Sequence, residues 1–202
     1  MTRSGNIHRT TAGAAAALGL CAALAGPAAA APGPGPTPGG AVAGKTEHCV
    51  VHLEDHGKRT CHAGFREAVE DATGGRVTDA PDDPGKAMAD PNVLDRIGAT
   101  DGPRLGPIVL SIEFEHIRFG GSSISFTGTH ECQSGTANPE FSYEDLNRVG
   151  WNDRISSYRL FANCLANHYE NPAWNGVQTG YQATTEYIGD LMNDRTSSLR
   201  WS

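Results

Sequence analysis

The sequence predicts a mainly β chain whose C-terminal half is one unit used twice, preceded by a small disulfide-stapled ββα element. Three observations carry the duplicated half. Asn152-Asp153-Arg154-Ile155-Ser156-Ser157 recurs 41 residues later as Asn193-Asp194-Arg195-Thr196-Ser197-Ser198, changed only at the fourth place. Each copy opens a short alternating run, at 157–161 and 198–201, the pattern of a half-buried strand. Ahead of each copy stands an aromatic residue, a Glu, three variable residues, a second aromatic, one variable residue and Gly. These are 114–121, with Phe114, Glu115, Phe119 and Gly121, and 169–176, with Tyr169, Glu170, Trp174 and Gly176. Internal repetition is read first because it sets the architecture.

These residues resemble the βγ-crystallin family of double Greek keys, whose units join an aromatic hairpin corner to an Asn/Asp-Asn/Asp-x-x-Ser/Thr-Ser loop. The resemblance covers about residues 106–202. It implies a βγ-crystallin-like double Greek-key β-sandwich and, as in microbial members, two calcium ions (Ca2+) at the repeated loops. The chain is also similar, more loosely, to secreted actinobacterial crystallin-type proteins and to the metalloprotease-inhibitor family of the same fold. The resemblance further implies that each calcium site is shared between units. A backbone carbonyl comes from Glu115 or Glu170, and a hydroxyl from Ser156 or Ser197. The Asn/Asp pairs and the next carbonyl complete the set, drawing on Asn152, Asp153 and Arg154 and on Asn193, Asp194 and Arg195.

Taken from its start, the chain opens on a secretory signal peptide at 1–31. Arg3 and Arg9 give a positive head, an Ala-rich apolar run follows, and Ala28-Ala29-Ala30 offers a small-residue cleavage site. The apolar run is too short to span a bilayer, so no membrane association is expected after processing. Residues 32–44 are a Gly/Pro-rich linker. Without Arg3 and Arg9 the chain carries 14 basic and 23 acidic side chains, a charge of −9. That balance excludes a nucleic-acid partner, which needs a basic face.

Residues 45–78 form the ββα element. Val50, Val51 and Leu53 mark a strand and Asp55-His56-Gly57 a tight turn. Phe65, Ala68, Val69 and Ala72 recur at helical spacing before Gly74-Gly75 stops the helix. The hairpin is the expected partner of that helix. Four cysteines remain in the exported form, and an even number reads as disulfides. Three pairings are open. Counting outward from Asp55 sets Cys49 opposite Cys61, which favours a stapled hairpin and leaves Cys132 with Cys164 to join the two crystallin-like units. His48, His52, His56 and His62 crowd the first pair, which also admits zinc ligation, but exported cysteines oxidise.

Residues 79–105, rich in Asp, Pro and Gly, read as an acidic connector, with 92–97 a helical turn. Strands follow at 108–114 and 123–127 around a Gly120-Gly121 turn, and at 165–169 and 178–183 in the second unit. The first unit is longer: 38 residues separate Phe114 from Asn152 against 24 from Tyr169 to Asn193. The excess falls at 129–140, a loop containing Cys132.

Calcium takes six to eight oxygens at flexible spacing. Asn, Asp and Ser supply hard oxygens, and a tight turn exposes carbonyls. The same residues also close turns without metal, and it is their recurrence beside two aromatic-Glu corners that favours calcium. Phe114, Phe119, Tyr169 and Trp174 read as corner packing rather than a sugar platform. No nucleophile elbow, His-Glu-x-x-His or phosphate loop is present. Glu113, Glu115 and Glu131 are too commonplace a set of acids to make a glycosidase, and no enzyme is expected. The expectation is a secreted, extracellular, monomeric calcium-binding protein. A secreted protease is a possible partner, met through the 129–140 loop of an inhibitor, and a toxin or cell-wall-active enzyme is the third reading.

Overall fold

A computed structural model describes residues 45–100, 106–133 and 138–202. The expected signal peptide and the linker at 32–44 lie outside the described residues, as do 101–105 of the connector and 134–137 of the inserted loop. Among the described residues, no helix is long and apolar enough to cross a membrane.

The chain begins with a hairpin, β1 (His48–His52) and β2 (Lys58–His62). His56 and Gly57, both at positive φ, make its turn. Cys49 stands opposite Cys61, and the two are disulfide-bonded with Cα atoms 4.0 Å apart. Helix α1 (Phe65–Ala72) follows and buries Phe65, Ala68, Val69 and Ala72. The hairpin is not a free-standing element. β1 pairs in parallel with β4 (Gly120–Gly128), from His48 opposite Ser123 to His52 opposite Thr127, and so extends a sheet of the duplicated half. This explains the run Cys49-Val50-Val51, fully buried. A strand covered on both faces reads as continuously apolar rather than alternating. α1 packs on β4 as well as on β1, and the Phe65 ring lies 6.2 Å from that of Phe114.

The expected acidic connector is in part helical and packed. α2 (Pro84–Ala89) and α3 (Pro91–Ile97) bury Ala87, Met88, Val93 and Ile97. Asp83 and Asp90 cap them, accepting from the N–H groups of Lys86 and Asn92 at 2.9 Å each. An Asp followed by Pro at the first helical position is a helix-start signal, and it occurs twice here.

The duplicated half supplies two facing sheets. β3 (Ile108–His116), β4 (Gly120–Gly128) and β6 (Ser157–Leu160) complete the order β2-β1-β4-β3-β6. β5 (Phe141–Tyr143), β7 (Ala166–Asn171), β8 (Asn175–Gln178) and β9 (Ser198–Trp201) form the order β5-β9-β7-β8. β5 belongs to the first unit in sequence but pairs with β9 of the second. In return, Thr185 of the second unit bridges Tyr158 of β6, with reciprocal N–H to C=O bonds of 3.0 and 3.1 Å. The first unit thus crosses a strand into the second unit's sheet and the second returns a single bridge to the first's, the pattern of a double Greek-key exchange. Between the sheets, Trp201 donates Nε1–H to Ser111 Oγ at 3.1 Å, and its ring lies 5.0 Å from that of Phe126.

Two strand boundaries depart from expectation. β8 ends at Gln178 rather than opening a strand to 183, and Gln182 only bridges Ala166. The first corner is not a Gly120-Gly121 turn. It is a short turn at Ile117–Phe119, with positive φ at Arg118, Phe119 and Gly121, after which Gly120 already lies in β4.

Cys132 is bonded to Cys164, 32 residues on. Closing a loop of that length removes chain entropy worth about 3–4 kcal/mol from the unfolded state. The double variant Cys132→Ser/Cys164→Ser is therefore expected to lose about that much in denaturant unfolding, with a steeper denaturant dependence because the freed unfolded chain exposes more surface. A loss under about 1 kcal/mol would show that the bond constrains nothing.

Candidate metal centre

The two repeated loops share one corner geometry. At each corner two non-Gly residues take the left-handed region, Arg118 and Phe119 (φ 57° and 62°) and Ala173 and Trp174 (φ 54° and 59°). That conformation is costly for side-chain-bearing residues, and the last serine of each loop holds it. Ser157 Oγ donates to the His116 carbonyl at 2.6 Å and accepts from Phe119 N–H at 3.0 Å. Ser198 Oγ does the same with Asn171 and Trp174, at 2.7 and 3.1 Å. The loops also hold one another: Asp153 N–H donates to the Thr196 carbonyl at 3.0 Å, and Asp194 N–H to that of Ile155 at 3.1 Å. Both Asp residues have positive φ, 57° and 55°.

This frame brings all ten sequence-predicted residues to two pockets that share Asp153 and Asp194. The first, about 470 Å³, is lined by Glu115, Asp153, Arg154, Ser156, Asn193 and Asp194 together with His116 and Ile117. The second, about 380 Å³, takes Asn152, Glu170, Arg195 and Ser197 with the same two Asp residues, and adds Asn147, Asn171 and Pro172. In the first, Ser156 Oγ lies 2.8 Å from the Glu115 carbonyl and 3.2 Å from Asp194 Oδ1. In the second, Ser197 Oγ lies 2.6 Å from the Glu170 carbonyl. The carboxylate that reaches Ser156 therefore comes from the other unit.

The arginines line the pockets but are held by partners of their own. Arg154 donates to Glu115 Oε1 and to the Gly150 carbonyl, both at 3.1 Å. Arg195 pairs with Glu170 and donates to the Leu191 carbonyl at 3.2 Å. Each cation neutralises the side chain of the Glu whose carbonyl faces the pocket. Burial alone would push the Glu115 carboxyl up, but the hydrogen bond from Ser122 and the Arg154 charge outweigh it and hold it below the ordinary carboxylate value. A carboxyl depressed on folding adds stability above its unfolded value of about 4.3 and loses it as pH falls through the folded value. Glu115→Gln is expected to cost less than about 1 kcal/mol at pH 7, since the pair is partly exposed. Melting curves of the two proteins should converge as pH drops below about 4; a constant gap across that range would remove the ion pair from the account.

The donor set fits a hard cation. It is oxygen-only at the meeting point of carbonyl, hydroxyl and carboxylate, which suits calcium rather than a softer metal. A further observation agrees: Asn193 Oδ1 is buried without a hydrogen-bond partner among the described residues, and an orphaned acceptor of that kind calls for an explanation such as an ion. The zinc reading of the first hairpin does not survive. Cys49 and Cys61 are in a disulfide, His48 Nδ1 bonds Ser123 Oγ at 2.9 Å, and His52 and His62 both turn to Asp71. Of the corner aromatics, Phe114, Phe119 and Tyr169 are buried, and Trp174 Nε1–H bonds the Leu199 carbonyl at 3.2 Å under the Arg200 guanidinium. Ser157 and Ser198, whose corner-locking role sequence reasoning missed, were visible as the invariant final residue of both loops.

No family model and no curated protein matches the chain. Among solved structures, a βγ-crystallin domain from Clostridium beijerinckii is 24% identical over 46% of this chain and 95% of its own, with a TM-score of 0.36. One from Flavobacterium johnsoniae is 23% identical over 46% and 93%, with a TM-score of 0.35. A structure bearing on the evolution of the eye lens βγ-crystallin domain fold is 22% identical over 52% and 93%, with a TM-score of 0.37. The assignment of a crystallin-like double Greek key rests on this chain's own strand exchange and repeated corners.

Proposed function

We propose that this protein is exported and binds two calcium ions at the repeated loops, where they tie the two Greek-key units together, and that it is not an enzyme. One observation carries the reading: carbonyl, hydroxyl and carboxylate oxygens from both units meet at Ser156, and the carbonyl–hydroxyl part of that arrangement recurs between Glu170 and Ser197. Glu115, Ser156 and Asp194 would hold one ion, and Glu170, Ser197 and Asp153 the other, with Asn152, Asn193 and the loop carbonyls completing the sets. The ion supplies charge and cross-linking, and the protein supplies preorganised oxygens. Export is supported by the Ala28-Ala29-Ala30 site and the two disulfides. Residues 32–202, stripped of metal, should give calcium heats at Kd of about 10⁻⁵ to 10⁻³ M in isothermal titration, and much smaller ones with magnesium, which demands a tight octahedral shell. No heat with calcium overturns the reading.

A second reading, a secreted protease inhibitor, is favoured by the anchoring of the 129–140 loop. Cys132 is bonded to Cys164, Gln133 N–H donates to Glu140 Oε1 at 2.8 Å, and Glu140 N–H donates to the Trp201 carbonyl at 2.8 Å. A loop held at both ends binds with less ordering cost. Deleting 133–139 should then abolish inhibition of secreted metallo- or serine proteases while leaving calcium heats unchanged. A full-length protein that slows none of them removes this reading.

A further inference from the structure

We propose that the cleft between β8 and the irregular segment 182–192 binds an uncharged oligosaccharide chain. The cleft, about 700 Å³, takes none of its lining from the ten metal-loop residues. Among the described residues four large hydrophobic side chains are well exposed, and three of them line this cleft: Val177 (43%), Tyr187 (43%) and Leu191 (71%). Apolar exposure gathered in one concave place marks an interaction site, whereas scattered residues do not.

The polar lining says what kind of ligand. Among the described residues no Lys, Arg or His lines it, and the single acid that does, Asp190, accepts a hydrogen bond from the Tyr187 hydroxyl. An anionic ligand finds no counter-charge. Three side chains keep unused capacity. Gln178 Oε1 accepts from Asn167 at 2.8 Å, which leaves its amide hydrogens to donate. Gln182 Nε2 donates to the Thr179 carbonyl at 3.3 Å, which leaves its oxygen to accept. Thr184 Oγ1 accepts from Leu160 N–H at 2.9 Å, which leaves its own hydrogen. Interspersed neutral donors and acceptors match sugar hydroxyls, each of which does both. The Tyr187 ring, Val177 and Leu191 offer an apolar surface to the C–H faces of the rings, the mix of apolar walls and few polar groups that small-molecule sites use. An extended peptide is the weaker match: β8 is four residues long, and beyond it the segment makes only isolated bridges, so strand addition has little edge to grow on.

The test titrates the disulfide-intact, calcium-supplied chain with cello-, xylo-, chito- and maltohexaose while amide NMR shifts are followed. At least one hexasaccharide should saturate with Kd at or below about 1 mM, moving resonances within 177–192. Tyr187→Ala and Gln182→Ala, both at exposed positions, should each weaken it about tenfold without altering melting temperature or calcium heats. Because calcium heats are read separately, failure here leaves the metal reading standing, and the reverse. The proposal is overturned if no hexasaccharide perturbs these resonances at about 10 mM, if shifts arise elsewhere, or if an uncharged octapeptide moves them and no sugar does.

Discussion

Metal-stripped protein is expected to melt some 10–20 °C below the calcium-saturated form. An ion that binds only the folded state stabilises it by about 2.7 kcal/mol at a hundredfold excess over Kd. Two sites give about 5 kcal/mol, and a domain of this size moves roughly 2–4 °C per kcal/mol. Ions bound as proposed would act on the fold because the oxygens come from both units: Ser156 of the first meets Asp194 of the second. Ser156→Arg and Ser197→Arg should each remove one ion's share of the increment, and the pair nearly all of it. Since both serines are almost fully buried, Ser156→Ala and Ser197→Ala serve as gentler variants, losing affinity without adding a cation. Ser157→Ala is the contrast. Its hydroxyl holds the corner rather than facing the pocket, so it should cost about 1 kcal/mol with or without calcium, leaving the increment intact. If calcium and chelator give superimposable melting curves, the loops are turns only.

The repeated half was legible because its information is local. A loop whose six residues recur in order, with the same corner ahead of it, declares both the unit and the residues that gather in its pockets. The Cys49–Cys61 register was legible for the same reason, since hairpin counting needs only the turn. What stayed hidden depends on long-range pairing. Nothing in Phe141-Ser142-Tyr143 states that it joins β9 rather than β3, because strand exchange is decided by which sheet has a free edge. Nor does Cys49-Val50-Val51 reveal that β1 pairs in parallel with β4; its apolar run suits a strand buried on both faces, but a short apolar run alone does not identify the cover. The helices α2 and α3 are a different case. Asp83-Pro84 and Asp90-Pro91 announced them, and the acidic composition of the stretch drew attention away from two N-caps. At the first corner, the glycines drew the turn two residues too far along, because the positive φ is carried by Arg118 and Phe119, held there by Ser157.

Between the sheets lies a pair that the metal reading does not use, and removing half of it is expected to be among the most damaging single changes in the chain. Glu113 of β3 and His168 of β7 are both fully buried, with Oε2 and Nε2 3.1 Å apart. Tyr158 stacks on the imidazole with ring centroids 4.3 Å apart, and burial, reinforced by the Glu113 charge, drives its hydroxyl well above the ordinary tyrosine value. Glu113 Oε1 and His168 Nδ1 have no other partner among the described residues, so each side chain depends on the other. This enclosure also removes Glu113 from any acid pair that would meet a substrate. His168→Leu leaves a carboxyl stranded in an apolar interior, and Glu113→Leu strands an imidazole; each is expected to cost about 3–5 kcal/mol. The double variant should recover most of that loss, because replacing a buried pair by apolar residues of similar volume is often neutral or stabilising. Denaturant unfolding of the four proteins, taken as a double-mutant cycle in saturating calcium, measures the coupling directly. Single losses that merely add, with no recovery in the double variant, would mean that the sheets are held by packing around Trp201 and Phe126 and that the pair contributes nothing of its own.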